Sequence, residues 1–352
     1  MPASSSKSRQ QGAQAALPDH LKPVVTRSVV IRAIRTFFEE RGFYEVTVPV
    51  LNRALPLEPT LYAFETTWRT EQAVPLYLTT SPESGLKKLL GQGLGDSFAI
   101  GKCFRNLENS GNRHNPEFLM LEWYRKDARY AQIMADAQAL ILAVQMAVQE
   151  YWGRRTGTLL QYQGQSFELA STWPVLSLDA LCQEYLGIGL KNLDDDAQLR
   201  AAARAQGFEA LSGSWEQVFH QLMLNKIEPH FPQQPFFLID FPSKLSPLCT
   251  RKPGSPHLAD RFELYFGQME IANGNNENTD SGAVRQAFEA ERTRRQDAGE
   301  MSHPVDEVFL QSLEKLQRSS NTGYAGIGLG VDRLAMLVAD APQITDVEPF
   351  CV

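Results

Sequence analysis

The chain has 352 residues, 43% hydrophobic and 21% charged, an ordinary globular composition with length enough to bury a large core. Its formal net charge of −7 argues against a dedicated RNA binder, because gripping a phosphate backbone calls for a basic face. Four widely spaced cysteines form no Cys-x-x-Cys pair, which excludes a zinc ribbon or disulfide framework and fits a reduced, cytoplasmic setting.

Residues 1–20, rich in Ser, Gln, Ala and Lys, read as a disordered tail without the apolar centre of a signal peptide. No run of about 18 apolar residues suggests a membrane span. Val25, Val29, Ile31, Ile34, Phe37 and Phe38 predict an amphipathic helix over 24–41, ended by Gly42. Residues 43–50, β-branched and aromatic, predict a strand closing at Pro49, and 76–80 predict another. Ser81 then caps a helix to Leu90 with Pro82 in its first turn. Residues 97–104 and 118–124 predict an antiparallel pair around a polar loop. Ile133, Ala137, Leu140, Ile141, Val144 and Val148 form a helical stripe over 131–151. The region from about 126 to 235 reads as mostly helical. Strands are predicted over 236–240, 261–266, 268–272 and 325–329, and helices over 282–298 and from Val331 to Val338. Strands at both ends of a helical middle imply an antiparallel α+β core with a helical insertion.

Three segments carry chemistry. The first, Arg27 to Leu51, is a helix–strand unit that many folds could use. The second is Phe104-Arg105-Asn106-Leu107-Glu108, a loop, Arg113-His114-Asn115-Pro116-Glu117-Phe118, and Leu121-Glu122-Trp123-Tyr124-Arg125. A strand ending in Arg, a polar loop and a returning strand with an aromatic make a nucleotide cradle. Arg105 suits a bidentate phosphate or carboxylate contact, and Phe118 suits stacking on a base. The third is Gly326-Ile327-Gly328-Leu329-Gly330-Val331-Asp332-Arg333. Its glycines permit close approach of a ligand to the backbone. Arg333 opens a helix, where a cation is disfavoured unless it faces an anion or a base. The pattern is not a dinucleotide turn, which needs Gly-x-Gly-x-x-Gly.

These segments resemble motifs 1, 2 and 3 of class II aminoacyl-tRNA synthetases, in order. The run Arg113–Phe118 resembles the lysyl branch. Leu121–Arg125 resembles its short paralogues, which ligate lysine or β-lysine onto elongation factor P, and Arg261–Tyr265 and Glu270–Gly274 resemble both. The resemblance covers about residue 20 to the C-terminus and implies a class II catalytic domain over 21–352, with the insertion inside it. It leaves no room for the anticodon-binding barrel ahead of motif 1, which favours a protein acceptor and makes tRNA binding an unfavoured expectation.

The resemblance also implies roles. Arg105 and Arg333 are the expected catalytic residues, Arg105 on the α-phosphate and substrate carboxylate. Arg333 and Phe118 would sandwich adenine, with Asn106, Glu108, His114, Asn115, Glu270, Ile271 and Gly330 completing the ATP site. Glu263 and Glu270 would hold Mg2+, which takes oxygen ligands and bridges phosphates. Glu83, in Ser81-Pro82-Glu83, would take the α-amino group. Glu122, Tyr124 and Glu277 would read the side-chain ammonium beside Asn273 and Gly328. Two carboxylates and a phenol suit a buried cation. A homodimer through motif 1 is expected.

The sequence departs from the family pattern at three places. Motif 2 reads Arg-Asn-Leu-Glu rather than Arg-Asn-Glu, so either Glu108 takes the glutamate's role, which is the expectation, or an adenine contact is lost. Asn275 stands where an aromatic is usual, and Ser84-Gly85 where larger residues are usual. These changes imply an altered or relaxed amino-acid pocket. Two other readings stay open: the same activation with another acceptor (tRNA, carrier protein or small molecule), or a non-catalytic regulatory paralogue.

Overall fold

The computed structural model describes residues 17–69, 71–107, 111–208 and 213–350. Helix α1 (Lys22–Glu39) starts with Pro23, whose missing N–H costs nothing in a first turn, and Gly42 at φ +75° lets the chain reverse after it. Strands β1 (Tyr44–Glu45), β2 (Leu51–Asn52), β3 (Glu65–Trp68) and β4 (Val74–Leu78) precede helix α2 (Glu83–Leu90). The pair β5 (Ser97–Phe104) and β6 (Glu117–Lys126) leads to helix α3 (Tyr130–Trp152) and the hairpin β7 (Leu159–Tyr162) and β8 (Gln165–Glu168). Strand β9 (Val175–Ser177) runs into four helices: α4 (Leu178–Leu186), α5 (Leu190–Leu193), α6 (Asp196–Ala205) and α7 (Trp215–Leu222). The chain continues through β10 (Pro235–Pro242), β11 (Arg251–Lys252), β12 (Ser255–Phe266) and β13 (Met269–Asn276). It closes with α8 (Ser281–Asp297), α9 (Glu307–Ser319), β14 (Tyr324–Gly330), α10 (Val331–Ala339) and α11 (Ile344–Val347).

Nine strands form one mixed sheet in the order β1-β5-β6-β14-β13-β12-β10-β9, with β11 paired to β12. Only β1–β5 and β10–β9 are parallel, so the α+β expectation holds. The predicted strand over 43–50 breaks up. Tyr44–Glu45 alone joins the main sheet, and Leu51–Asn52 pairs with β4 in a separate three-stranded sheet. Pro49 between them has no N–H to continue a ladder.

Because strand side chains alternate, the sheet has two different faces. Leu121, Trp123, Phe262, Leu264, Ile327 and Leu329 point to the main core, where they meet Phe38, Ile141 and Leu334 of α1, α3 and α10. Fully burying one such side chain is worth about 1.5–3 kcal/mol, so this face supplies much of the stability. Helix α3 is long and apolar enough, by length and composition, to cross a membrane, yet Ile133, Ala137, Leu140, Ile141 and Val144 are all in this core. It therefore belongs to the central layer rather than to the predicted insertion. The separate helical unit begins at Leu178, where Leu199, Val218 and Phe219 pack on Phe236, Leu238 and Tyr265. On the opposite face Leu86 and Leu90 of α2 meet Phe288 of α8 and Phe309 and Leu313 of α9 beside Tyr124.

One carboxylate ties the three motif segments together. Asp332, 2% exposed at the start of α10, pairs with Arg27 Nε of α1 at 2.5 Å. Its other oxygen accepts the Leu119 N–H of β6 at 2.7 Å. A carboxylate in a helix's first turn is also favoured by the helix dipole.

Candidate active site

The strand register lines the predicted residues into two rows across the sheet. In one row Glu122 of β6 lies opposite Gly328 of β14, which lies opposite Asn273 of β13 and then Glu263 of β12. In the next row Tyr124 lies opposite Gly326, which lies opposite Asn275 and then Arg261. All face away from the helical core. Gly326 is required here: a Cβ would lie 2.3 Å from the Tyr124 ring and 2.9 Å from Glu277 Oε1. A Cβ on Gly328 would make ordinary contact, 3.4 Å or more from Met120 and Glu122, so that position has some latitude.

The nucleotide side is built around two arginines. Arg105 follows directly on β5, donates Nε to the Thr80 carbonyl at 3.3 Å and lies 5.2 Å over the Phe118 ring. Arg333 donates to the Glu270 carbonyl at 2.9 Å and the Arg113 carbonyl at 3.2 Å, and meets His114 Nε2 at 3.2 Å. The first turn of α10 is thereby joined to the motif 2 loop and to β13. Asn115 is 5% exposed, and neither its Oδ1 nor its Nδ2 has a hydrogen-bond partner, a costly state that a bound polar group would relieve. Asn106 donates its N–H to the Tyr62 carbonyl at 2.7 Å. Leu107, the extra residue of this loop, takes φ +60° and turns a 73% exposed side chain outward. Glu108 lies outside the described residues. The Ile271 side chain is buried in the helical core, so only its backbone can contribute to a nucleotide site. Gly330 sits under Arg333, where a Cβ would come 3.7 Å from that side chain.

The predicted metal pair sits on adjacent strands. Glu263 is held by Arg261 at 2.9 Å and accepts the Tyr265 hydroxyl at 2.7 Å. Glu270 accepts Asn273 Nδ2 at 3.3 Å. Burial, and then repulsion from Glu270, raise the Glu263 carboxyl above its ordinary value. A divalent cation would relieve that repulsion, and two carboxylates are a usual protein share for Mg2+ that also binds phosphates. The described residues hold no cluster of three or more His, Cys, Asp or Glu suited to a fully protein-bound metal.

The amino-acid side is a buried acidic pocket. Glu122 and Glu277 are 5% and 4% exposed. Burial lifts both carboxyls, helped by the charge of Glu83 in each case, Glu277 to about 7 and Glu122 well above its usual range. Ser81 donates to Glu122 and accepts the Glu83 N–H at 3.2 Å, while Pro82 is buried at the head of α2. Tyr124 OH reaches toward Glu122 at 3.4 Å. Sequence reasoning missed the residue that organises this side, Lys87. Its fully buried ammonium pairs with Glu83 and lies 2.5 Å from Glu277 Oε2. Burial opposes its charge, but Glu277 and Glu83 outweigh it and raise the ammonium. Glu83 and Lys87 are one helical turn apart, a spacing that signalled their pairing. The two glutamates expected to read opposite ends of a substrate thus bracket one in-chain cation.

The expected loosening of the pocket is corrected at one place. A Cβ on Gly85 would fall 2.5 Å from Val48, so its smallness serves helix packing and does not open the site. Ser84 is likewise buried. Asn275 is half-buried and donates to the Leu248 carbonyl at 3.4 Å, so a polar wall does stand at that position.

The family described as tRNA synthetases class II (D, K and N) matches residues 9–352. The "Lysine--tRNA ligase" of Moorella thermoacetica is 34% identical over 335 residues, 95% of this chain and 65% of that protein. The "Elongation factor P--(R)-beta-lysine ligase" of Haemophilus influenzae strain PittGG is 33% identical over 337 residues, 94% of this chain and 95% of that protein. A protein of that same name from Erwinia tasmaniensis is 34% identical over 336 residues, covering 94% of each chain.

Proposed function

The chain belongs to the class II tRNA synthetase family of the D, K and N type, a family of ligases, and from that premise we propose which reaction it performs. It activates a lysine-type diamino acid, lysine or (R)-β-lysine, with ATP, and passes the acyl group to a lysine of elongation factor P. The observation that carries the reading is the buried acidic pocket beside Arg105, which would be costly to bury without cationic partners.

In the first step a substrate carboxylate oxygen bonds to the α-phosphorus and pyrophosphate leaves. That carboxylate is ionised at pH 7, so no side chain need remove a proton. Arg105 binds the carboxylate and α-phosphate and stabilises charge that develops in line. Phe118 and Arg333 hold adenine, and His114 and Asn115 lie along the nucleotide. Glu263 and Glu270 would hold Mg2+, which when bound would neutralise charge on the phosphates. Glu122, Tyr124 and Glu277 receive the ammonium groups. In the second step the acceptor's amine attacks the acyl carbon and AMP leaves.

Support for the protein acceptor comes from the relatives named for it, which this chain matches over 94–95% of their length. The equal identity to the Moorella enzyme named for tRNA keeps a tRNA acceptor as the second reading. Labelled lysine or β-lysine incubated with ATP, elongation factor P and total tRNA separates them: label on the protein is expected, and label on tRNA alone overturns the acceptor. Tyr44, Leu51 and Trp68, each more than half exposed, support a second copy docking on the motif 1 side as a two-fold dimer.

A further inference from the structure

The two carboxylates expected to meet opposite ends of the amino acid come from distant parts of the chain. Glu83 opens α2, and Glu277 follows β13. The fold fixes the main chain of each. Ser81 Oγ accepts the Glu83 N–H at 3.2 Å, and the Tyr324 carbonyl accepts the Glu277 N–H at 2.9 Å. The carboxylates themselves meet on a single atom. Lys87 Nζ pairs with Glu83 Oε1 and lies 2.5 Å from Glu277 Oε2.

Lys87 is well placed to hold them. It is fully buried, one turn along α2 from Glu83. Its Nζ lies 5.8 Å from the centre of the Tyr124 ring and 5.9 Å from that of Phe309, within the range of cation–π attraction. An ammonium buried there is costly without partners, so the pairs to both glutamates keep it in place, and it keeps them. Each carboxylate gives Lys87 one oxygen. The other oxygen of Glu277, Oε1, lies over Gly326, where a Cβ would be 2.9 Å from it and 2.3 Å from the Tyr124 ring. Asn275, opposite Gly326 in the same row, also donates to this carboxylate. Lys87 thus fills the gap between Glu83 and Glu277, and a ligand ammonium has to approach each carboxylate from its other side. One ammonium cannot bridge the pair, whereas two at a set separation can take one carboxylate each.

Resting on the diamino-acid reading above, we propose that Lys87 is a positioning residue that fixes the separation of the two ammonium-binding points, and with it the length of diamino acid accepted. Glu83 takes the amino group nearer the substrate carboxylate and Glu277 the distal one.

The test uses straight-chain α,ω-diamines of three to six carbons, which carry two ammonium groups and no carboxylate. They are read as competitive inhibitors of ATP–pyrophosphate exchange with the diamino acid that the wild type activates. Wild type is compared with Lys87→Arg, Lys87→Met and, as a control, Lys88→Met, whose lysine pairs with Asp306 instead. In wild type, inhibition is expected to be strongest at one length and about tenfold weaker one methylene away. Lys87→Met is expected to raise KM for the diamino acid about tenfold, with kcat and KM for ATP nearly unchanged, and to flatten the series. Lys87→Arg keeps the charge, recovers most of the affinity and moves the preferred length. Lys88→Met leaves the preferred length and the diamino-acid KM as in wild type. A flat wild-type series, a preferred length and KM unmoved by either change at Lys87, an equal rise in KM for ATP, or the same loss in Lys88→Met overturns the proposal alone. Should Lys87→Met not fold, the wild-type series and Lys87→Arg decide. A wild-type chain that activates no diamino acid sinks the functional reading and the proposal with it.

Discussion

The two halves of the site are built on opposite principles. On the nucleotide side Arg105 and Arg333, both half-buried, are anchored by backbone carbonyls at 2.9–3.3 Å, and Arg333 also pairs with Glu270 at 3.8 Å. On the amino-acid side, carboxylates are drawn into the interior and balanced in part by Lys87, a cation of the chain's own. Half-buried charges cost less to hold than fully buried ones, and on the proposed reading they meet the phosphates that all substrates of this chemistry share. Buried charges are held at a cost in desolvation, and that cost is relieved only by a ligand of matching charge. On the proposed reading, specificity resides on the buried side and the chemistry of activation on the more open one.

Substitutions should divide along that line. Arg105→Ala removes a group acting on developing charge, so exchange falls about 10²–10³-fold while amino-acid binding in a titration changes less. A loss confined to amino-acid affinity would erase the division. Glu122→Gln should raise KM for a diamino acid by about 10–100-fold, matching the loss of a charge-assisted hydrogen bond, and leave KM for ATP in place. An equal effect on both substrates would contradict the account. Gly326→Ala forces a Cβ into the Tyr124 ring and should cost about 1–3 kcal/mol in a denaturant melt, with weaker amino-acid binding. Normal stability and normal binding together would show that the ring is free to move.

A smaller effect concerns pH. Burial, with Glu83 nearby, raises the carboxyls of Glu58 and Glu277 from about 4.5 to about 7. A carboxyl raised on folding stabilises the protein fully below its unfolded value and loses that contribution as pH rises through its folded value. The ligand-free chain should lose stability between about pH 4.5 and 7. Lysine, which pairs with the ionised forms, should raise Tm more at pH 7.5 than at pH 5.5. A ligand-induced shift independent of pH would mean that these carboxyls do not face the substrate.

Much of the open side was legible in the sequence because it is local. Arg105 to Phe118 is one hairpin, and Gly326 to Arg333 one strand–helix turn, so strand period and glycine spacing place their residues directly. Strands β5 and β14 and helix α10 lie within a residue of their predicted bounds. The buried side is assembled from Glu83, Lys87, Glu122 and Glu277, on segments separated by up to some two hundred residues in sequence. The turn that carries Glu58 is held through its main-chain carbonyl by Arg295 on a distant helix, a contact that no local pattern signals. Lys87 could be read only as the helical partner of Glu83. Its second contact, with Glu277, depends on how α2 lies over the sheet. Asp332, which joins α1, β6 and α10, was legible as part of a motif but not as their common tie.

The central claim, that a buried acidic pocket beside Arg105 selects a doubly charged amino acid for activation, is tested most directly by amino-acid-dependent ATP–pyrophosphate exchange. Lysine, (R)-β-lysine, ornithine and norleucine, which lacks the distal ammonium, would be compared at equal concentration. The account predicts exchange with a diamino acid and little with norleucine. Exchange with norleucine equal to that with the diamino acids, or with none of the four, would contradict it.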